Sequence, residues 1–366
     1  EHGIERRQGW PIESLSVYCE VFEVPEGQDV AAVIERLVAD PRVDLVQPMN
    51  TFEALAEGYD DPYVRLQSAA AELGVAGAHR LATGKGVVVA VVDTAVDATH
   101  PELDGRIAVE RDFVDSRRKP RAAEVHGTAV AGVIASVANN SEGIVGVAPD
   151  VRLAALRACW SVEGDSGGAR CSSFTLAQAL EAAMVVDAAV VNMSLAGPED
   201  PLLTRLIDEA VARGIVVVAA APAAADRTPF PASHGSVLVG RSSSASDARG
   251  SAMHLPAPAE EILTTIPGAG YAFFSGTSLA AAHLSGVIAL MIEREPSLEA
   301  GRIADVLAAS MVSRADRTSV NACYAVQSLT DLRVCAPAFE FASSSGGDST
   351  QSPSRAERPA GTRSPL

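Results

Sequence analysis

Val87-Val88-Val89-Ala90-Val91-Val92-Asp93-Thr94-Ala95-Val96-Asp97 is the stretch that decides the fold. Its first six residues are apolar without alternation and mostly β-branched, as expected of a strand buried on both faces of a parallel sheet. Similar runs follow at 151–156, 188–192 and 215–221, with helical patterns over 128–137, 175–186 and 202–213 between them; Gly214 closes the last helix. Strands alternating with helices of this length predict an α/β fold built on a doubly wound, mainly parallel sheet. Such a sheet presents its chemistry at the carboxyl ends of its strands, and Asp93 stands at one of them.

Working outward, 15–24 alternates as a strand. Asp29 can cap a helix with Val30, Val33, Ile34, Leu37 and Val38 on one face, and 43–47 reads as a second strand. Residues 1–52 are therefore expected to form a small α+β (βαβ) domain, too small to be stable on its own core. A linker over 53–82 carries a helix at 64–73, and the sheet domain occupies 83–316, ending after a strand at 236–240 and a helix at 298–310. A Cys-bracketed segment occupies 317–342, and within it Cys323 to Cys335 reads as a small covering hairpin. The tail 343–366 is rich in Ser, Pro, Gly and Arg, and is expected to be disordered.

Composition narrows the function. With 29 Lys+Arg against 46 Asp+Glu the formal charge is −17, and the one basic run is Arg117-Arg118-Lys119-Pro120-Arg121, so a nucleic-acid partner is not expected. No apolar run reaches the roughly 18 residues of a membrane helix. Gly84-Lys85-Gly86 lacks the remainder of a phosphate loop. Cys159 with Cys171, and Cys323 with Cys335, lack the spacing of a zinc or redox site. Two local disulfides are the favoured reading over four buried thiols, with Cys19 left as a core residue. Disulfides imply an oxidising compartment, secreted or periplasmic, with any export signal lying before residue 1.

Two more motifs join Asp93. Val125-His126-Gly127-Thr128-Ala129-Val130-Ala131-Gly132 puts an imidazole at a turn before a helix of small residues. Phe274-Ser275-Gly276-Thr277-Ser278-Leu279-Ala280-Ala281-Ala282-His283 puts a hydroxyl at a helix start, beside unpaired N–H groups and the positive end of the dipole. Taken singly, Asp93 and Ser278 read as caps and His126 as a loop residue. Together they give Asp, His and Ser in the chain order used by one class of hydrolytic triad. Asp97 lies beyond the turn and His283 reads as a core residue.

These motifs resemble the subtilase (subtilisin-family, S8-like) serine proteases, over residues 83–310. The resemblance implies a serine endopeptidase with Asp93 as orienting carboxylate, His126 as general base and Ser278 as nucleophile, hydrolysing a polypeptide through an acyl-enzyme. Val191-Asn192-Met193-Ser194-Leu195-Ala196-Gly197-Pro198 resembles the family's substrate-binding stretch, which assigns Ser194, Leu195, Ala196 and Gly197 to substrate. The loop 164–168 resembles the opposing substrate strand. The first 52 residues resemble the family's inhibitor-like, ferredoxin-like propeptide, making the chain's own prosegment a second partner. No cofactor or metal is implied for the chemistry; structural calcium, common in the family, has no ligands assigned. The chain departs from the family at Ala223, where the Asn that donates to the oxyanion is expected; Asp226 in its protonated form, Arg227 or Thr228 on the next loop are alternative donors. That departure motivates the alternative of a catalytically impaired pseudoprotease that binds peptides or a partner in the same groove. Ala95 for Gly and Ala282 for Pro are structural departures.

Overall fold

Two units divide the chain, Glu1–Glu57 and Gly58–Leu366, in a computed structural model that describes residues 4–25, 27–49, 58–115, 124–162, 168–222, 228–244, 253–314 and 317–335. In the first unit, β1 (Glu5–Ile12) and β2 (Val17–Glu23) pair antiparallel, with Trp10 opposite Cys19 and Ile12 opposite Val17. Helix α1 (Val30–Val38) starts where expected, at Asp29, whose carboxylate accepts the Ala31 N–H at 3.0 Å. The strand expected at 43–47 has no ladder partner among the described residues. Among the described residues the unit therefore runs ββα, in place of the expected βαβ. β1 escapes sequence reading because ERRQGWPI carries two Arg, a Gly and a Pro in place of β-branched alternation. Val33 is the unit's buried apolar residue among those described, while Trp10, Tyr18 and Leu45 stay exposed, as the small size predicts.

The second unit begins earlier than the sequence suggests. Helix α2 (Ser68–Leu73) and helix α3 (Val75–His79), broken at Gly74 in the left-handed region (φ 69°), bury Leu73, Val75 and Ala78 in the main core. The segment from Gly58 to Ala82 is thus part of that domain and not a linker.

The α/β framework follows. Strands β3 (Val88–Asp93) and β4 (Ile107–Asp112) lead to α4 (His126–Ala135) and β5 (Arg152–Arg157). A small hairpin, β6 (Cys159–Ser161) with β7 (Ala169–Cys171), precedes α5 (Ser173–Val185). Then come β8 (Val190–Met193), α6 (Pro201–Ala212), β9 (Val216–Ala220), β10 (Leu238–Ser242) and β11 (His254–Ala257). A hairpin of β12 (Ile262–Ile266) and β13 (Gly270–Phe274) delivers the chain to α7 (Thr277–Arg294) and α8 (Ala300–Ala309).

Among the described residues seven strands form one sheet in the order β11-β10-β9-β8-β3-β5-β4, every adjacent pair parallel. Alternation along β3 explains why its sequence shows none: Val89 and Val91 join the core beneath α4 and α7, while Ala90 and Val92 join the core beneath α5 and α6. Both faces are covered, so both sets are apolar. β3 ends beside β5 and β8, where the direction of winding reverses, and such a switch point opens a crevice at the strand ends.

The described residues end with a further small hairpin, β14 (Val312–Arg314) with β15 (Arg317–Ser319), and helix α9 (Ala322–Gln327). The Cys323 to Cys335 segment therefore contains a helix and not the expected hairpin. It packs Cys323, Ala325 and Val326 into the main core, so it belongs to the same domain. Both favoured disulfides are present, Cys159–Cys171 and Cys323–Cys335, and Cys19 is a free, half-buried thiol. The tail from residue 336 lies outside the described residues.

Candidate active site

Asp93, last residue of β3, and His126, first residue of α4, meet side chain to side chain. His126 Nδ1 lies 2.8 and 2.9 Å from the two Asp93 carboxylate oxygens, so Nδ1 carries the donated proton and, in the neutral ring, Nε2 keeps its lone pair. Asp93 is buried, while the His126 side chain is about a third open to solvent. The Asp93 charge holds the His126 pKa above the usual imidazole value against the opposing effect of burial. Asp93 Oδ1 also accepts the Thr94 N–H at 2.6 Å, which fixes the carboxylate's rotation.

Local packing brings the two residues together. A Cβ on Gly127 would lie 2.5 Å from the Thr94 carbonyl oxygen, so the start of α4 can approach the exit of β3 this closely only as glycine. Gly127 N–H donates to Thr94 Oγ1 and Asp97 N–H donates to Thr128 Oγ1, both at 2.9 Å, which supplies a helix start with partners from another segment. From the other side, the buried Thr264 and Thr265 hydroxyls of β12 donate to the Ala129 and Thr128 carbonyls. Asp97 accepts from Thr99 and Gly268 and takes no part in the Asp93 contact.

Ser278 is the second residue of α7 and carries one of the N–H groups that a helix cannot pair internally. Its Oγ lies 3.5 Å from the Ser194 carbonyl oxygen, and no hydrogen bond joins it to His126 among the described residues. Sequence reading missed what holds this turn. The Ser285 hydroxyl, inside α7, donates to Asn192 Oδ1 at 3.0 Å; Asn192 Nδ2 donates to Ser194 Oγ at 2.9 Å; Ser194 Oγ donates to the Ser278 carbonyl at 3.1 Å. A buried amide thus locks the hydroxyl-bearing turn to the Ser194 segment. The only sequence hint was a polar residue at the end of an apolar strand.

Ser194 to Gly197 leaves β8 beside that turn, and Gly197 exchanges two backbone hydrogen bonds with Phe230. Ala196 is exposed. Ala223, Asp226 and Arg227, and residues 164–167 of the proposed opposing strand, lie outside the described residues. Thr228 is exposed. His283 is buried in the core, its Nδ1 3.0 Å from the Pro258 carbonyl, and burial pushes its pKa down to about 4.

No group of three or more His, Cys, Asp or Glu side chains suited to a metal ion occurs among the described residues. Among the described residues four buried carboxylate oxygens, Asp61 Oδ1, Glu72 Oε1, Glu102 Oε2 and Glu260 Oε2, have no hydrogen-bond partner. Glu102 Oε1 accepts from Ile144 N–H and Tyr271 OH, and burial, with the Asp61 charge adding, pushes its carboxyl up to about 7.

The family model described as "Subtilase family" matches residues 84–325. A thermophilic serine proteinase of Bacillus sp. (strain AK1) is 36% identical over 280 residues, covering 74% of this chain and 68% of that protein. Thermitase of Thermoactinomyces vulgaris is 34% identical over 252 residues, covering 67% and 86%. Subtilisin E of Bacillus subtilis (strain 168) is 33% identical over 287 residues, covering 75% and 71%.

Proposed function

We propose that this chain, which belongs to the subtilase family, is a serine endopeptidase in which Asp93, His126 and Ser278 act as one unit. The observation that carries the reading is the Asp93 carboxylate gripping His126 Nδ1 from inside the sheet, with Nε2 left free to take a proton. Ser278 Oγ attacks the scissile carbonyl as its proton passes to His126 Nε2. The resulting imidazolium, held by Asp93, protonates the leaving amine; water then repeats the cycle on the acyl-enzyme and regenerates the hydroxyl. This requires a Ser278 rotamer other than the one that faces Ser194. A contact at 3.5 Å offers little resistance to that rotation, and nucleophile–base bonds often close only around substrate.

Extended polypeptide adds as a strand along the main chain of Ser194 to Gly197, and no cofactor enters the acyl transfer. The Ser278 N–H supplies one oxyanion donor. Ala223 supplies none, so turnover is expected about 10²–10³-fold below that of the same enzyme with the donor restored, the loss measured in a subtilisin lacking it; Ala223→Asn tests this. The first unit, residues 1–57, is read as an inhibitory prosegment, and the two disulfides suit an extracellular, oxidising setting. A fluorophosphonate followed by peptide mass spectrometry tests the whole reading. Labelling of the Ser278 peptide is expected, and a protein that never labels, with or without its first 57 residues, is a pseudoprotease.

The orphaned oxygens of Glu102 and Asp61 fit a hard cation such as calcium, which prefers carboxylate and carbonyl oxygen and would keep Glu102 ionised. In protein first saturated with calcium, chelator should lower Tm by about 5–10 °C. Glu102→Gln should melt at the same temperature with and without chelator. Indifference of the wild type to chelator sinks the site.

A further inference from the structure

The sequence before His126 gives no reason to notice Glu124, yet its side chain is fully buried. Both its oxygens are used twice. Oε2 accepts the Ala95 N–H and Arg157 Nε, each at 2.8 Å; Oε1 accepts Arg157 Nη2 at 2.6 Å and the Ser161 N–H at 3.3 Å. Arg157 sits directly across the β3–β5 ladder from Asp93 and extends its outer Nη1 to Asp112 at 3.0 Å. One carboxylate therefore ties together the segment two residues past Asp93, the segment two residues before His126, and the first arm of the β6–β7 hairpin.

A buried ion pair is a poor source of stability, because desolvation of both charges consumes most of what their attraction returns, and an apolar pair of the same volume often does as well. What a fully bonded carboxylate does supply is geometry. The fork of Arg157 fixes its plane, and the Ala95 and Ser161 amides fix its two ends. Without it, the Asp93 and His126 segments are held to each other through the Thr94–Gly127 and Asp97–Thr128 contacts and through the reacting pair itself.

We infer that Glu124 is a positioning residue, clamped by Arg157, that sets the register between Asp93 and His126 and anchors the first arm of the β6–β7 hairpin through the Ser161 amide. The inference rests on the serine-protease reading above. It also explains why a charge is retained in so closed a place: misplacement of a reacting pair by about 1 Å costs on the order of 10²-fold in rate.

The test uses the full chain, first shown active on a peptide substrate and labelled at Ser278; failure there counts against the proposed function and not against Glu124. Glu124→Gln keeps the volume but turns an amide N–H₂ toward the Arg157 donors. We expect kcat to fall about 10²-fold with KM within about threefold, and the acid limb of kcat/KM to move to lower pH as His126 loosens from Asp93. Asp112→Asn, which releases only the outer arm of Arg157, should lower Tm and leave both kinetic readouts near wild type. Should the single Glu124 variant not fold, the charge-free pair Glu124→Gln/Arg157→Gln decides by the same two readouts. Wild-type kcat and an unmoved acid limb in a folded Glu124 variant overturn the inference, as does an equal kinetic loss in Asp112→Asn.

Discussion

Ser278→Ala should leave a folded protein whose kcat is lower by about 10⁶, the scale found when a subtilisin loses its nucleophile. The folded state has little reason to notice the change. Among the described residues the hydroxyl's one hydrogen-bond contact is the 3.5 Å approach to the Ser194 carbonyl, and the turn is held by its main chain, through Ser194 Oγ on the Ser278 carbonyl. Alanine is also the best helix former, and the cap at Gly276 does not use the serine side chain. Tm is therefore expected within a few degrees of wild type while fluorophosphonate labelling disappears. Residual hydrolysis about 10³–10⁴ above the uncatalysed rate should survive through substrate binding and the remaining oxyanion donor. A variant that keeps wild-type turnover would remove Ser278 from the chemistry, and with it the proposed mechanism.

Asp93→Asn should cost about 10⁴ in kcat, and the structure gives the reason. Oδ1 of Asp93 accepts the Thr94 N–H at 2.6 Å, so an asparagine keeps its oxygen there and turns its N–H₂ toward His126 Nδ1. Two donors cannot face each other, so the imidazole proton moves to Nε2, the nitrogen that must accept from Ser278. The pH profile carries the same information. His126 works as a base only when neutral, and Asp93 raises its pKa, so wild-type kcat/KM should fall as pH drops through a value above the ordinary imidazole range. With the carboxylate gone the ring protonates less readily and the acid limb should move to lower pH. A limb that stays in place would mean that the titrating group is not His126.

Much of this was legible because the informative residues are local. The 87–92 run announces a doubly covered strand, and its final Asp marks the strand end without any partner being known. The His-Gly-Thr and Gly-Thr-Ser motifs carry small residues whose purpose is close approach, and the structure shows it at Gly127. Cysteine spacing sufficed for both disulfides. What could not be read depends on distant partners. β1 becomes a strand only because β2 folds back on it, and the segment from Gly58 to Ala82 looks like a connector until Leu73 and Ala78 find the core. Glu124 is the extreme case, since its partners Ala95, Arg157 and Ser161 lie about thirty or more residues away, and a lone acid before a valine has no pattern.

β3 occupies the middle of the sheet, flanked by β5 and β8, strands that are not made until residues 152–157 and 190–193. As the ribosome releases the chain, Asp93 thus waits some sixty to a hundred residues for its first neighbours, and Ser278 emerges far later still. Contacts of such long range close slowly. A copy synthesised no further than residue 277 therefore lacks the proposed nucleophile, and the cell that makes the protein is spared the proposed activity until that residue has been translated.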